Sequence, residues 1–312
     1  MPRRPFDISV PDLTGRRALV TGGSDGVGLA LAARLAGAGA DVLLPVRDRR
    51  KGEAAAARIR ERHPAARIVL HDLDLASLAS VRMLADRLAD EGGPLHLLVA
   101  NAGVMTPPQR RTTSDGFELQ FGTNHLGHFA LIGRLLPLLR AGSARVVSQV
   151  SIAAAQGAVH WDDLQWERSY HAGRAYSSSK IALGLVGLEL DRRSAASGWG
   201  VTSGLAHPGI APTSLLAART ETGRSRDGLD VRTIRLLSRL GLLVGTVDSA
   251  SLPALLAATS DGPGGRMHSP SGPGRLGGAP ALQRPYSRLT RTDDAARIWA
   301  LSEELTGVRF PA

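Results

Sequence analysis

Tyr176 and Lys180 stand four residues apart in the run Tyr-Ser-Ser-Ser-Lys. On a helix, positions i and i+4 share one face. An ammonium beside a phenol stabilises the phenolate. At ~4 Å and an effective dielectric of ~20 that interaction is on the order of 4 kcal/mol. At ~1.4 kcal/mol per pKa unit, it would bring a tyrosine from ~10 toward ~7, where a general acid/base is useful. A chance Tyr/Lys pair would be unremarkable in a lysine-rich chain. Here Lys180 is one of only two lysines, the other being Lys51.

A second group of residues suits an anion. The run Thr-Gly-Gly-Ser-Asp-Gly-Val-Gly over 21–28 places Gly22, Gly26 and Gly28 in the spacing Gly-x-x-x-Gly-x-Gly, with Ser24 and Val27 between them. A glycine turn between a strand and a helix lets backbone N–H groups approach a pyrophosphate at the positive helix end. Asp25 lies inside this loop and is expected to face solvent, since a carboxylate beside a diphosphate is unfavourable. Some 20 residues on, a ribose-binding site would call for Asp or Glu at the end of the second strand. That strand ends instead in Val46, followed by Arg47, which can meet a 2′-phosphate with a charge-assisted fork. Asp48 follows and weakens that case.

The elements around these residues must hold them in place. Short apolar runs at 17–21, 41–46, 68–73, 95–100, 145–150 and 201–206 read as strands. Helical patterns fall at 27–36, 51–62, 78–88, 114–139 and 175–196. Strands alternating with helices imply βαβ units and a parallel sheet buried on both faces. After Pro208 the texture changes. Residues 215–243 are helical in pattern but broken by Gly223 and Gly228, 249–259 and 293–305 read as helices, and 261–285 are rich in Gly and Pro. That last stretch is expected to wrap the sheet edge or a binding cleft. No linker separates domains, so one domain is expected, with a core over 13–210, a substrate-side region over 211–292 and a C-terminal helix over 293–307.

Composition narrows the function further. The chain has 312 residues, 43% apolar and 21% charged, enough for a sizeable core. It has no cysteine, which removes disulfides, thiolate metal sites and cysteine nucleophiles. The net charge of +10 comes from arginine in a chain that also avoids asparagine, so compositional bias accounts for it. Basic clusters interleaved with aromatics are missing, and nucleic-acid binding is not expected. No apolar run approaches the ~18 residues of a membrane span. Arginines near the N-terminus are not followed by an apolar stretch, so no signal peptide is expected and the cytoplasm is the default location. His125 and His128 lack a nearby carboxylate cluster, so no metal is expected.

Taken together the motifs resemble the short-chain dehydrogenase/reductase superfamily, in its retinol-dehydrogenase-like and protochlorophyllide-reductase-like branch. The likeness covers roughly residues 13–310. It rests on TGGSDGVG at 21–28, VRDRRKGEAA at 46–55, LDLASLASVR at 73–82, ANAG at 100–103, TNHLGHF at 123–129, RVVSQVS at 145–151, YSSSK at 176–180 and HPG at 207–209. It implies a single doubly wound Rossmann sheet with a C-terminal substrate-side extension, and an NADP(H)-dependent oxidoreductase acting on a carbonyl or alcohol.

Carried over residue by residue, the resemblance makes Tyr176 the general acid/base. Lys180 lowers its pKa and holds the nicotinamide ribose. Ser151 donates to the substrate oxygen, and Asn124, in the long helix, anchors a water that relays protons to Lys180. Asp74 and Leu75 lie at the adenine, Asn101, Ala102 and Gly103 under the cofactor, and Pro208 and Gly209 near the nicotinamide. Both asparagines of the chain fall on motif positions.

Departures also count. Ala100 replaces the first asparagine of the usual Asn-Asn-Ala-Gly, and Val150-Ser151, with Gln149 before them, replace the usual serine pair. Protochlorophyllide reductases of this branch use a cysteine near the substrate, which argues against that activity. The substrate would be a small hydrophobic carbonyl or alcohol, with a pocket over 152–170 and 210–285; a homo-oligomer is left open. Two other readings stand beside this one. One is an NADP(H)-binding redox-sensing interaction protein with little turnover, disfavoured by the complete Asn124/Ser151/Tyr176/Lys180 set. The other is an epimerase or dehydratase, disfavoured because Gly22/Gly26/Gly28 does not follow Gly-x-x-Gly-x-x-Gly.

Overall fold

A computed structural model describes residues 6–212 and 244–311. Its centre is an eight-stranded sheet among the described residues, in the order β3-β2-β1-β4-β5-β6-β7-β8. The first six strands are β1 (Arg17–Val20), β2 (Asp41–Val46), β3 (Ile68–Asp72), β4 (Leu97–Ala100), β5 (Arg145–Gln149) and β6 (Thr202–Ala206). They run parallel, joined by helical crossovers. Strand order reverses between β1 and β4, the point where α/β sheets open a crevice at their carboxyl ends.

Alternating strand residues feed opposite faces, as the pleat requires. Leu19 and Leu98 join one core, with Leu84, Leu135, Leu185 and Trp299. Ala18, Val20, Leu97 and Val99 join the other, with Leu31, Ile59 and Leu255. The first face is covered by α3 (Leu78–Glu91), α4 (Gly127–Ala141), α5 (Ala172–Ser197) and α7 (Thr292–Thr306). The second is covered by α1 (Gly26–Gly37), α2 (Arg49–Arg62) and α6 (Val247–Thr259).

Two features depart from the sequence expectation. The helix expected over 114–139 starts at Leu119 and is not uniformly α: one α-turn, Leu119–Phe121, passes into a π-helical stretch, Gly122–Leu126, before α4 begins. The 111–118 segment is instead pinned by Thr113 and Glu118: Thr113 N–H donates to the Phe117 carbonyl, and the Glu118 carboxylate caps the turn at Phe121 N–H. In addition, the Gly/Pro-rich stretch supplies two strands. β7 (Met267–Pro270) pairs parallel with β6, and β8 (Pro280–Gln283) pairs antiparallel with β7. It does extend the sheet edge, and none of it lines the cavity described below. The helical pattern expected over 215–243 lies outside the described residues. No helix among the described residues is long and apolar enough to cross a membrane.

Candidate active site

A cavity of about 1130 Å³ opens along the carboxyl ends of the strands. Every site residue expected from the sequence lines it except Asn124, which is fully buried behind the wall.

The glycine turn forms one end. Gly22 and Gly26 take φ of +66° and +53°, values that disfavour a side chain. A Cβ on Gly22 would stand 2.9 Å from the Ala102 Cα, and one on Gly28 would overlap the Gly22 carbonyl oxygen. Backbone packed this closely leaves the start of α1 open to a ligand. Asp25 is exposed as expected and has a local task as well: its carboxylate caps α1 by accepting from Gly26 N–H at 2.7 Å. Thr21 and Asn101 tie the turn to β4. Thr21 Oγ1 accepts from the backbone N–H of Asn101 and Ala102, and Asn101 Nδ2 donates to the Thr21 carbonyl at 2.8 Å. Arg47 and Lys51 reach the wall at the end of β2 and start of α2, with Asp48 capping α2 between them. Asp74 and Leu75 follow β3.

The other end holds the acid/base candidates. Tyr176 and Lys180 lie on α5 and are both buried, at 7% and 3% exposure. Lys180 Nζ donates to the Gln149 carbonyl at 2.9 Å, at the tip of β5. Burial lowers its pKa to about 8. Burial raises the Tyr176 phenol above its ordinary value, and a hydrogen bond with Ser151 pulls it partly back. The sequence expectation of a phenol drawn down toward ~7 by Lys180 is therefore not met: desolvation dominates, and the ammonium is engaged by a backbone carbonyl. Ser151 caps a short 3-10 turn just past β5, its Oγ accepting from Ala153 N–H at 3.2 Å.

Asn124 belongs to the π-helical stretch rather than to regular α-helix. Its Oδ1 accepts from Val104 N–H at 2.8 Å; its Nδ2 donates to the Val104 carbonyl and to Ser179 Oγ, both at 3.0 Å. It thus braces the segment after β4 against α5. The two histidines of this motif are engaged internally. His125 Nε2 meets Ser302 Oγ at 2.7 Å, and His128 bridges Thr21 Oγ1 and the Asn124 carbonyl at 2.9 and 3.0 Å. Since a carbonyl only accepts, His128 carries its proton on Nδ1 and accepts from Thr21 at Nε2.

Sequence reasoning missed several wall residues. Val104, Met105 and Gly173 line the cavity outside the expected 152–170 and 210–285 segments; Ile152, Ala153, Ile210, Ala211 and Ala250 fall within them. Gln149 was noted only as a departure. It bonds Asn101 Oδ1 through Nε2 at 2.7 Å and offers its carbonyl to Lys180, so it joins β5 to the glycine turn. Its place directly before Val150-Ser151 was the available signal.

Comparisons with known proteins agree with this geometry. The family model described as short chain dehydrogenase matches residues 16–223. Retinol dehydrogenase 13 of Homo sapiens is 36% identical over 315 residues, covering 99% of this chain and 88% of that protein. A solved structure of an uncharacterized protein from Mycobacterium Paratuberculosis aligns with a TM-score of 0.78 at 34% identity, over 97% of this chain and 98% of that one. Pseudomonas aeruginosa RhlG, solved as an NADP active-site complex, aligns with a TM-score of 0.59 at 27% identity, over 80% of this chain and 91% of its own. A model matching most of the chain, a relative matched nearly end to end and a shared fold lead to one conclusion: this chain belongs to the short-chain dehydrogenase family, in its retinol-dehydrogenase-like branch, and is an oxidoreductase of alcohols and carbonyls.

Proposed function

We propose that the protein is an NADP(H)-dependent oxidoreductase of a hydrophobic alcohol or carbonyl compound, with Tyr176 as its general acid/base. The observation that carries this reading is that one cavity joins the glycine turn and Arg47 to Ser151, Tyr176 and Lys180. The cavity walls fit a dinucleotide: close-packed glycine backbone at the start of α1 suits a pyrophosphate, and cationic Arg47 and Lys51 suit a 2′-phosphate. The NADP complex of RhlG supports the same cofactor.

The nicotinamide, when bound, donates or accepts the hydride. The chain's own residues handle the proton and the charge. Tyr176 Oη gives or takes the proton on the substrate oxygen. Ser151, hydrogen-bonded to that phenol, donates to the same oxygen as negative charge develops. Lys180, near half-protonation at about pH 8, supplies positive charge close to the phenol's helix and exchanges a proton readily.

The wall also supports a substrate class. Ionisable wall residues cluster at the nucleotide end as Asp25, Arg47, Asp48, Lys51 and Asp74. Among the described residues, the wall toward Ser151 and Tyr176 includes Val104, Met105, Val150, Ile152 and Ala153, with Lys180 the one cation beside them. Such a surface rewards apolar area in a substrate. The name of the human relative, a retinol dehydrogenase, accords with that class.

The test pairs NADPH and NADH with alcohols, aldehydes and ketones of increasing chain length, for wild type and Tyr176→Phe. Turnover of the variant should fall ~10²- to 10⁴-fold, the usual contribution of a general acid/base, while NADPH binding persists. Near-normal turnover would remove Tyr176 from the role. NADPH binding by the wild type without turnover on any member would favour a sensing protein instead.

A further inference from the structure

Gln120 is fully buried, and its hydrogen bonds go to none of the acid/base set. A buried carboxamide needs partners for both its carbonyl and its amino group. Its Oε1 accepts from Thr106 N–H at 2.7 Å. Its Nε2 faces the Ala172 carbonyl at 3.1 Å, Tyr170 Oη at 3.2 Å and Glu118 Oε1 at 3.4 Å. A flipped amide would set N–H against N–H and carbonyl against carbonyl, so the partners fix its orientation.

These contacts join two segments far apart in sequence. Thr106 follows Met105, a wall residue, and Ala172 precedes Gly173, another. Ala172 is also the first residue of α5, four positions before Tyr176. The segment at Met105 depends on outside holds. Thr106 sits at φ +45°, in the left-handed region that a threonine disfavours. Asn124 takes both backbone groups of Val104, Gln120 takes Thr106 N–H, and Tyr170 Oη donates to the Pro107 carbonyl at 3.0 Å.

We propose that Gln120 is a positioning residue that sets the width of the substrate end, by tying the segment that carries wall residues Val104 and Met105 to the start of the helix bearing Tyr176. The inference rests on the oxidoreductase reading above. It assigns selection for substrate bulk to a residue that never touches substrate.

Gln120→Met keeps the volume and removes both kinds of hydrogen bond. Tyr170→Phe removes only the Pro107 hold and a partner of Gln120, at a partly exposed side chain, and keeps the proposal testable where Gln120→Met fails to fold. Two readouts are taken on each variant: kinetics with a long-chain and a short-chain alcohol, and backbone hydrogen exchange over 104–110 and 172–176. KM for the long alcohol should rise on the order of 10- to 100-fold in Gln120→Met, the scale of a misplaced binding wall, with kcat little changed. The short alcohol and NADPH affinity should be nearly unaffected, and exchange should accelerate at Thr106. Tyr170→Phe should move the same way by less. Equal losses on both alcohols and on NADPH binding would mean a general fold defect and overturn the proposal. Unchanged selectivity in a folded Gln120→Met, or in Tyr170→Phe when the other does not fold, would also overturn it. Should the wild type turn over no alcohol, aldehyde or ketone, the oxidoreductase reading fails on that result alone. The exchange data then still judge the tie, and unaltered exchange at Thr106 would overturn it.

Discussion

The two ends of the cavity are built from different materials. At the nucleotide end one short run, residues 21, 22 and 24–28, supplies much of the wall beside Arg47, Lys51, Asp74 and Leu75, and its glycines pack backbone against backbone. At the substrate end the wall comes from separate segments near residues 104, 151, 173 and 210, with apolar side chains such as Val104, Met105, Ile152 and Ile210 among them. Backbone walls demand particular residues, because only glycine lets chains approach as closely as Gly22 and Gly28 do here. Side-chain walls tolerate any apolar residue of suitable volume. The glycine turn is therefore strict and local; the substrate end is permissive and assembled at a distance.

Substitutions can break this contrast at either end. The largest effect is expected from Gly28→Ala. Its methyl group would overlap the Gly22 carbonyl and crowd Asn101 Nδ2, forcing the turn to move. NADPH affinity should fall on the order of 100-fold or more, the cost of an ångström-scale misplacement, as read by fluorescence titration. A change below a few-fold would show that the turn is not the nucleotide's seat. A smaller loss is expected from Arg47→Ala. The side chain is exposed, so its charged hydrogen bond belongs at the low end of the usual range, about 1.5 kcal/mol, or about tenfold. NADPH should weaken by that factor while NADH barely changes. Equal affinity of the wild type for both nucleotides would defeat the assignment of Arg47.

Acid provides the mildest probe, and it reaches both ends. Burial lowers His125 to about 3, and His128 and His207 to about 4. His128 holds Thr21 under the glycine turn, and His207 precedes Pro208 and Gly209 on the wall. These bases are neutral when folded and bind protons near pH 6.5 when unfolded. Their contribution to stability is fully present above about 6.5 and is lost as pH falls through that value toward the folded ones. The three together should cost about 2 kcal/mol between pH 7 and 6. Urea midpoints across this range measure it, and a flat profile would show that these rings are already solvated.

Legibility in the sequence followed the same division. β1 to β6 and their crossover helices could be read because apolar runs alternate with helical periods. β7 and β8 could not: Met-His-Ser-Pro and Pro-Ala-Leu-Gln carry prolines and no β-branched residue. They are strands because β6 offers an unpaired edge to which they add, and β8, at the margin, can carry its proline without breaking a ladder on both sides. The π-helical stretch was equally hidden, since no local pattern in Gly122–Leu126 distinguishes a π turn from an α turn. Its extra residue per turn is set by what Asn124 and His128 must reach, namely Val104, Ser179 and Thr21.

The sequence by itself determined the glycine turn, the Tyr176–Lys180 pairing on one helix face and the positions of the first six strands along the chain. Each depends on neighbours within a few residues or on a repeating period. Tertiary structure alone decided the charge balance at Tyr176 and Lys180, where burial disfavours the charged form of both groups and the Gln149 carbonyl arriving from β5 engages the Lys180 amine. It alone also decided the role of Gln120, whose partners come from segments 14 and 50 or more residues away. Desolvation and long-range hydrogen bonding depend on what the rest of the chain places around a group, and no local pattern encodes that.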